Sequence, residues 1–228
     1  MGNRDKPEIA MILAAGRGAR MRPLTDHIPK PLLNAGGKPL IHHHLEALSQ
    51  AGFQQVVVNH SYLGRMIEAS LGDGNRWGLS IRYSPEPGAA LETGGGIHNA
   101  LPMLGEKPFL VVNADIWTDF DYAGIDIPCS SLAHLVLVDN PPHHPEGDFS
   151  LAGERVCESG EIRLTFSGIG IYRRELFAGC SRGPFALGPL LKSAMAKGDV
   201  SGEYFYGIWV DAGTPERLKA LDEVLGSR

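Results

Sequence analysis

A run of glycines and arginines follows the first apolar segment of the chain: Leu13-Ala14-Ala15-Gly16-Arg17-Gly18-Ala19-Arg20-Met21-Arg22-Pro23-Leu24-Thr25. A strand, then glycines, then cations is an order that suits phosphate. Backbone N–H groups in a glycine-containing turn such as Gly16–Gly18 can form an anion nest. Two common phosphate grips do not fit. The dinucleotide fingerprint GxGxxG needs a third glycine for close helix packing, and Met21 stands there. The P-loop needs a hydroxyl residue after its lysine, and Pro39 follows Gly36-Gly37-Lys38. A third reading remains. Ala14, Ala15 and Gly16 are small enough for a nucleotide to lie against the backbone. Arg17 and Arg22 can then close over a triphosphate, and Lys30, between Pro29 and Pro31, adds a point charge on a stiff segment.

Two aspartates supply the complementary chemistry. Asp115 ends the apolar run "VVNADIW", and Asp211 ends "IWVDAGT". Ligands of open parallel sheets collect beyond the carboxyl ends of the strands. Two carboxylates facing a triphosphate there suit Mg²⁺, which takes one or two carboxylates together with phosphate oxygens and water. The plainer alternative is that each aspartate only caps a turn or helix.

The elements that must position these groups can be read from periodicity. Ile9–Leu13 reads as a buried strand, Pro39–Gly52 as a helix, "FQQVVVNH" as a strand, "YLGRMIEASLG" as a helix and "LSIRYSP" as a strand. That β-α-β-α-β order predicts a parallel sheet flanked by helices. Further on, "GGGIHNALPML" predicts a helix opening at its glycines, and "PFLVVNADIW" and "LAHLVLVDN" read as strands buried on both faces. "EIRLTF" and "GIGIYRRELF" read as a strand pair and a short helix. "PLLKSAMAKG" reads as a helix and "YFYGIWVDAG" as a strand. "TPERLKALDEVLG" reads as a closing helix capped by Thr214. Asp139–Glu161 reads as a long polar loop of the lid-like kind. His42, His43 and His44 are consecutive, so on a helix they point about 100° apart and cannot converge on one ion. His44 faces the core, and the other two lie on the surface or an interface.

Composition narrows the function classes. The chain has 228 residues, 43% hydrophobic, with a net charge of −5. That suits one α/β domain with an inserted mixed β portion and gives no broad nucleic-acid footprint. The three cysteines, Cys129, Cys157 and Cys180, are odd in number and far apart. Neither a disulfide framework nor a zinc site is expected from them. No signal peptide and no membrane span is visible, so a cytoplasmic protein is expected.

"LAAGRGARMRPLTDHIPKPLL" is similar to the signature of the sugar-1-phosphate nucleotidyltransferases, and "VVNADIW" and "WVDAGTPE" match that family's two metal-carboxylate segments in the right order. The resemblance spans nearly the whole chain. It implies a Rossmann-like α/β fold, a mostly parallel sheet flanked by helices. It also implies transfer of a nucleoside monophosphate from an NTP to a sugar 1-phosphate with release of pyrophosphate. The expected layout is one catalytic domain over 1–228, a sugar-side insertion at roughly 118–184 and no C-terminal β-helix.

By the same resemblance, Arg17 and Lys30 are catalytic. Ala14, Ala15, Gly16, Arg17, Gly18 and Lys30, with Glu86, Thr93 and Gly94 around the base, bind the nucleotide. Asn113, Asp148 and Gly168 face the sugar, and Asp115 and Asp211 hold Mg²⁺. Glu86 could accept the N3–H of uracil or donors of guanine. The alternative for Glu86 is an exposed loop carboxylate.

The compact length, "LETGGGI", "HLVLVDNP" and "LTFSGIGI" resemble in particular the N-acetylmuramate 1-phosphate uridylyltransferases of bacterial cell-wall recycling. That branch implies UTP and N-acetylmuramate (MurNAc) 1-phosphate as partners of a monomer or small homo-oligomer. Guanylyl or uridylyl transfer to another sugar phosphate, and a non-catalytic nucleotide-sensing subunit, are the competing expectations. The family's Glu-Lys-Pro segment is missing from "GEIRLTFSGIGIY"; either Arg163 substitutes for its lysine or the sugar phosphate is held chiefly by metal. Arg155, Arg163 and Lys192 are candidates for the lactyl carboxylate of MurNAc.

Overall fold

The computed structural model describes residues 3–86, 88 and 90–226. The first half builds the expected crossover units: β1 (Ile9–Leu13), α1 (Leu40–Gln50), β2 (Gln55–His60), α2 (Gly64–Leu71), β3 (Ser80–Pro85), α3 (Glu92–Leu104) and β4 (Phe109–Asn113). β1 pairs in parallel with both β2 and β4, and β2 pairs in parallel with β3. Val56, Val57 and Val58 of β2 are all fully buried, as a strand covered on both faces requires.

The second half contains β5 (Ile116–Thr118), β6 (Ala133–Val138), β7 (Phe149–Ala152), β8 (Arg155–Cys157), β9 (Arg163–Tyr172), α4 (Leu187–Lys197), β10 (Val200–Tyr204), β11 (Trp209–Asp211) and α5 (Pro215–Gly226). The main sheet has nine strands in the order β6-β10-β8-β7-β9-β4-β1-β2-β3, and β6 also pairs with β9. The mixed β portion is therefore continuous with the parallel sheet. β9 is the seam, running antiparallel to β4.

Four sequence expectations change. "EIRLTF" and "GIGIY" are one ten-residue strand, β9, because Ser167 and Gly168 continue it rather than turn. The Ser167 hydroxyl donates to the Val136 carbonyl, which ties that midpoint to β6. "YFYGIWVDAG" is not one strand: Tyr204 closes β10, Trp209–Asp211 form β11, and the two belong to different sheets. "ADIW" likewise divides, with Ala114 and Asp115 in a turn between β4 and β5. Asp139–Glu161 is not one loop, since it contains the β7–β8 hairpin.

Helix α1 buries Leu40, Ile41, His44, Leu45 and Leu48 on one face. Full burial of each such Leu or Ile stabilises by about 1.5–3 kcal/mol before chain entropy is counted. His44 is 3% exposed, as its helical position predicts. Burial pushes its pKa down to about 4, partly offset by a backbone contact at Ile116. Burial, then the Arg76 charge, also lowers His42 to about 4, and burial lowers His43. These folded values lie below the unfolded value near 6.5. As pH falls the unfolded chain binds these protons first, so stability is complete above about pH 6.5 and declines towards pH 4. Urea unfolding should show a midpoint that drops over that window, and His44→Phe should flatten the drop. An unchanged slope in that variant would remove His44 as a source.

Candidate active site

The register of the parallel strands brings the site together. Leu13 is opposite Asn59 on one side and Asn113 on the other. The carboxyl ends of β1, β2 and β4 are therefore level. The Leu13 carbonyl accepts the N–H of Ala114, which fixes the turn carrying Asp115. β3 adds Glu86 beyond its end, with the Glu86 N–H donating to the His60 carbonyl. These ends frame a cleft lined by Leu13–Gly16, Lys30, Asn59, Glu86, Thr93, Asn113 and Asp115, among others.

The sequence-derived candidates Ala14, Ala15, Gly16, Lys30, Glu86, Thr93, Asn113 and Asp115 thus meet in one cleft. Ala14 and Ala15 are buried, and Gly16 has open space where a Cβ would project. Lys30 is 7% exposed, and its Nζ lies 2.5 Å from Asp115 Oδ2. Gly18 does not line the cleft. Its φ is +65°, and a Cβ there would meet Thr25 at 3.0 Å and the Lys30 side chain at 3.1 Å. That close approach requires glycine and seats the segment bearing Lys30.

Arg17 is turned away from the cleft. Its guanidinium lies 3.5 Å above the centre of the Tyr62 ring, and Nη1 donates to the Thr25 carbonyl at 2.9 Å. Glu86 is not an exposed loop acid; it is 4% exposed and hydrogen-bonded inside the fold. Gly94 packs rather than lines. A Cβ there would meet the Phe185 ring at 2.6 Å, and Gly95 N–H donates to the Phe185 carbonyl. Close packing, of Gly94 and Gly95 against 183–185 and of Gly96 against Glu86 and Asn59, explains why three glycines sit in a helix, where each costs about 1 kcal/mol relative to alanine.

The sugar-side candidates separate. Gly168 adopts φ +83°, and a Cβ there would strike the Asn113 carboxamide at 2.5 Å. Gly168 therefore makes room for Asn113. Asp148 anchors its own loop: Oδ2 accepts the Phe166 N–H at 2.8 Å, and Oδ1 lies 3.1 Å from His144 Nε2. Arg163 donates to the Asp148 carbonyl, Lys192 pairs with Glu158, and Arg155 lies on β8; none of them lines the cleft.

Asp211 lies beside Asp115 through the backbone, where the Ala212 N–H donates to the Asp115 carbonyl at 2.9 Å. Its Oδ2 lies 3.2 Å from Arg217 Nη2 and 3.3 Å from His143 Nε2. The Arg217 contact is a charge contact rather than a hydrogen bond, because Nε and Nη2 have no hydrogen-bond partner. Two hard oxygen donors, each paired with a cation here, fit a divalent ion that takes its remaining ligands from phosphate and water. Among the described residues no group of three or more His, Cys, Asp or Glu gathers as a self-sufficient metal site. A two-carboxylate Mg²⁺ site would not form such a group.

Residues 9–149 match the family model described as nucleotidyl transferase. The chain belongs to the nucleotidyl transferase family. It is 54% identical over 227 residues to N-acetylmuramate alpha-1-phosphate uridylyltransferase of Neisseria meningitidis serogroup B, covering 96% of this chain and 98% of that one. It is 39% identical over 232 residues to the protein of the same name from Caulobacter vibrioides, covering 95% and 96%. In fold, it is similar to a putative glucose-1-phosphate thymidylyltransferase from Bacillus anthracis, with TM-score 0.82, 19% identity and 96% of both chains covered. The Rossmann-like α/β architecture is that of the nucleotidyl transferases.

Within this nucleotidyl transferase, sequence reasoning passed over Asn59, Glu92, Arg217 and Tyr62, and it weighed His143 only as a residue of the sugar pocket, not as a neighbour of Asp211. Asn59 carried a usable signal, a polar residue directly after the apolar run Val56–Val58 near the carboxyl end of its strand. Glu92 lines the cleft with φ +59°, a strained conformation for a residue with a Cβ, and only coordinates reveal it. Among the described residues no helix is long and apolar enough to cross a membrane.

Proposed function

We propose that this protein transfers UMP from UTP to MurNAc α-1-phosphate, giving UDP-MurNAc and pyrophosphate, as a cytoplasmic enzyme of peptidoglycan recycling. The catalytic unit in this reading is a single domain that acts as a monomer or small homo-oligomer. The observation that carries it is the Lys30–Asp115 pair in a cleft floored by Ala14–Gly16, in a chain so similar over its length to proteins of that name.

The physical problem is to join two polyanions. An oxygen of the sugar phosphate attacks the α-phosphorus of UTP in line. A P–O bond to that oxygen forms as the bond to the β-phosphate oxygen breaks, and pyrophosphate leaves with the electron pair. The nucleophile is already an anion at neutral pH, so no general base is required. Catalysis is positioning and electrostatics. Asp115 and Asp211 would hold Mg²⁺, which when bound offsets phosphate charge. Lys30 steadies the transferring phosphoryl group. Glu86 and Thr93 border the base, and Asn113, held by Gly168, faces the sugar. Arg17 serves the leaving pyrophosphate after it leaves the Tyr62 ring. An exposed cation–π contact is worth only about 0.5–1 kcal/mol, so a triphosphate can draw the guanidinium across.

Pyrophosphate release with Mg²⁺, across UTP, CTP and GTP and a panel of sugar 1-phosphates, tests the reading. UTP with MurNAc 1-phosphate should be fastest. Faster turnover of GTP with mannose or heptose phosphate would replace it, and absence of release with every pair would favour a nucleotide-sensing subunit.

A further inference from the structure

We infer that Asn59 is a positioning residue for nucleobase discrimination, locking Glu86 to the backbone platform beneath the nucleoside. This rests on the nucleotide-binding reading of the cleft. Asn59 is the penultimate residue of β2, is 2% exposed, and lines the cleft together with Ala14 and Glu86. Its Oδ1 accepts the Ala14 N–H at 2.8 Å, and its Nδ2 donates to Glu86 Oε1 at 2.6 Å. The other Glu86 oxygen, Oε2, accepts the Leu91 N–H at 2.7 Å. An N–H on one side and a carboxylate on the other permit a single orientation of the amide. One buried chain of hydrogen bonds therefore runs from Ala14 through Asn59 and Glu86 to Leu91, the residue before α3.

The chain has little freedom to move. A Cβ on Gly96 would fall 2.7 Å from Glu86 Oε1 and 2.8 Å from Asn59 Nδ2, so the helix backbone closes it from behind. A carboxylate offers about four lone-pair positions, and the fold uses two of them. The remaining ones can take a donor from a base and will oppose an acceptor. Uracil presents N3–H where cytosine presents a bare N3. A site built from committed buried polar groups discriminates such pairs far better than shape does. The discrimination depends on where the Glu86 oxygens are held, and Asn59 is the side chain that holds Oε1 in register with Ala14.

Asn59→Asp keeps an acceptor for Ala14 but replaces the Glu86 donor with a like charge. Affinities of UTP, CTP and GTP are measured by calorimetry, independently of turnover, for the parent, Asn59→Asp, Gly96→Ala and the Asn59→Asp/Glu86→Gln double variant. The parent's preferred base should lose at least about tenfold of its advantage over CTP in Asn59→Asp. The double variant should recover part of that advantage, since an amide at position 86 can donate to the new carboxylate and still accept from the base. A purely structural role would lower the unfolding midpoint without moving the ratio or permitting rescue. An unchanged ratio in folded Asn59→Asp, or no recovery in the double variant, overturns the inference. Should Asn59→Asp not fold, Gly96→Ala decides, because its methyl group displaces the same pair without altering charge; an unchanged ratio there overturns the inference equally. A parent that prefers GTP overturns the uridylyl reading alone, with the Asn59 role then judged on the GTP-to-CTP ratio. A parent with no base preference overturns the Asn59 role.

Discussion

Asp115→Asn is expected to lower kcat by about 10²–10³-fold, the scale for losing one preorganised electrostatic contact in a closed site. The substitution preserves shape and leaves a carbonyl for Lys30, so the protein should stay folded. The Mg²⁺ concentration for half-maximal activity should rise. Asp115→Ala differs in kind. It strands the Lys30 ammonium, which is 7% exposed, without the carboxylate it pairs with. Breaking a buried pair by removing one partner costs about 3–5 kcal/mol. Urea unfolding and steady-state kinetics on both variants separate the two effects. Turnover within tenfold of the parent in Asp115→Asn would remove Asp115 from the chemistry.

Lys30→Met is expected to cost a similar 10²–10³-fold in kcat, because the stem remains and only the charge is lost. Lys30→Arg should not restore activity. The base of the lysine side chain is packed against Gly18 and its ammonium is held at Asp115, and a planar guanidinium cannot stand in for a compact ammonium there. The stability penalty should be smaller than for Asp115→Ala. The carboxylate left behind is 34% exposed and can regain water, whereas the stranded lysine cannot. Unfolding midpoints should therefore fall in the order parent, Lys30→Met, Asp115→Ala. A reversed order would mean that Asp115, not Lys30, is the better-buried partner.

Much of the fold was legible because its periodic segments agree with its punctuation. α1, α2, α4 and α5 and the first four sheet strands lie where apolar spacing and glycines indicate. The misread segments share a cause. Gly168 looked like a break between two strands, but its positive φ lets β9 continue past the Asn113 side chain. The segment 204–213 looked like one strand because it is rich in aromatic and apolar residues, yet Tyr204 closes β10 and Trp209–Asp211 form β11. Pairing with different partners, β6 for one and β5 for the other, divides them.

For the site, residue type and strand-end position picked out Ala14–Gly16, Lys30 and Asp115, and the family resemblance added Glu86, Thr93 and Asn113; all of them line one cleft. Strand order follows from right-handed crossovers, and crossovers align the carboxyl ends. Side-chain direction is a different kind of information. Arg17 rests on Tyr62, Asp148 serves its own loop, Asp211 faces His143 and Arg217, and Glu86 is turned inward by Asn59. Each of these is a choice among partners from different elements, and the winner depends on distances across the fold. Local sequence thus determined which chemistry the chain carries and at which strand ends. Tertiary packing alone decided which of those groups point into the cleft and which are held for structure.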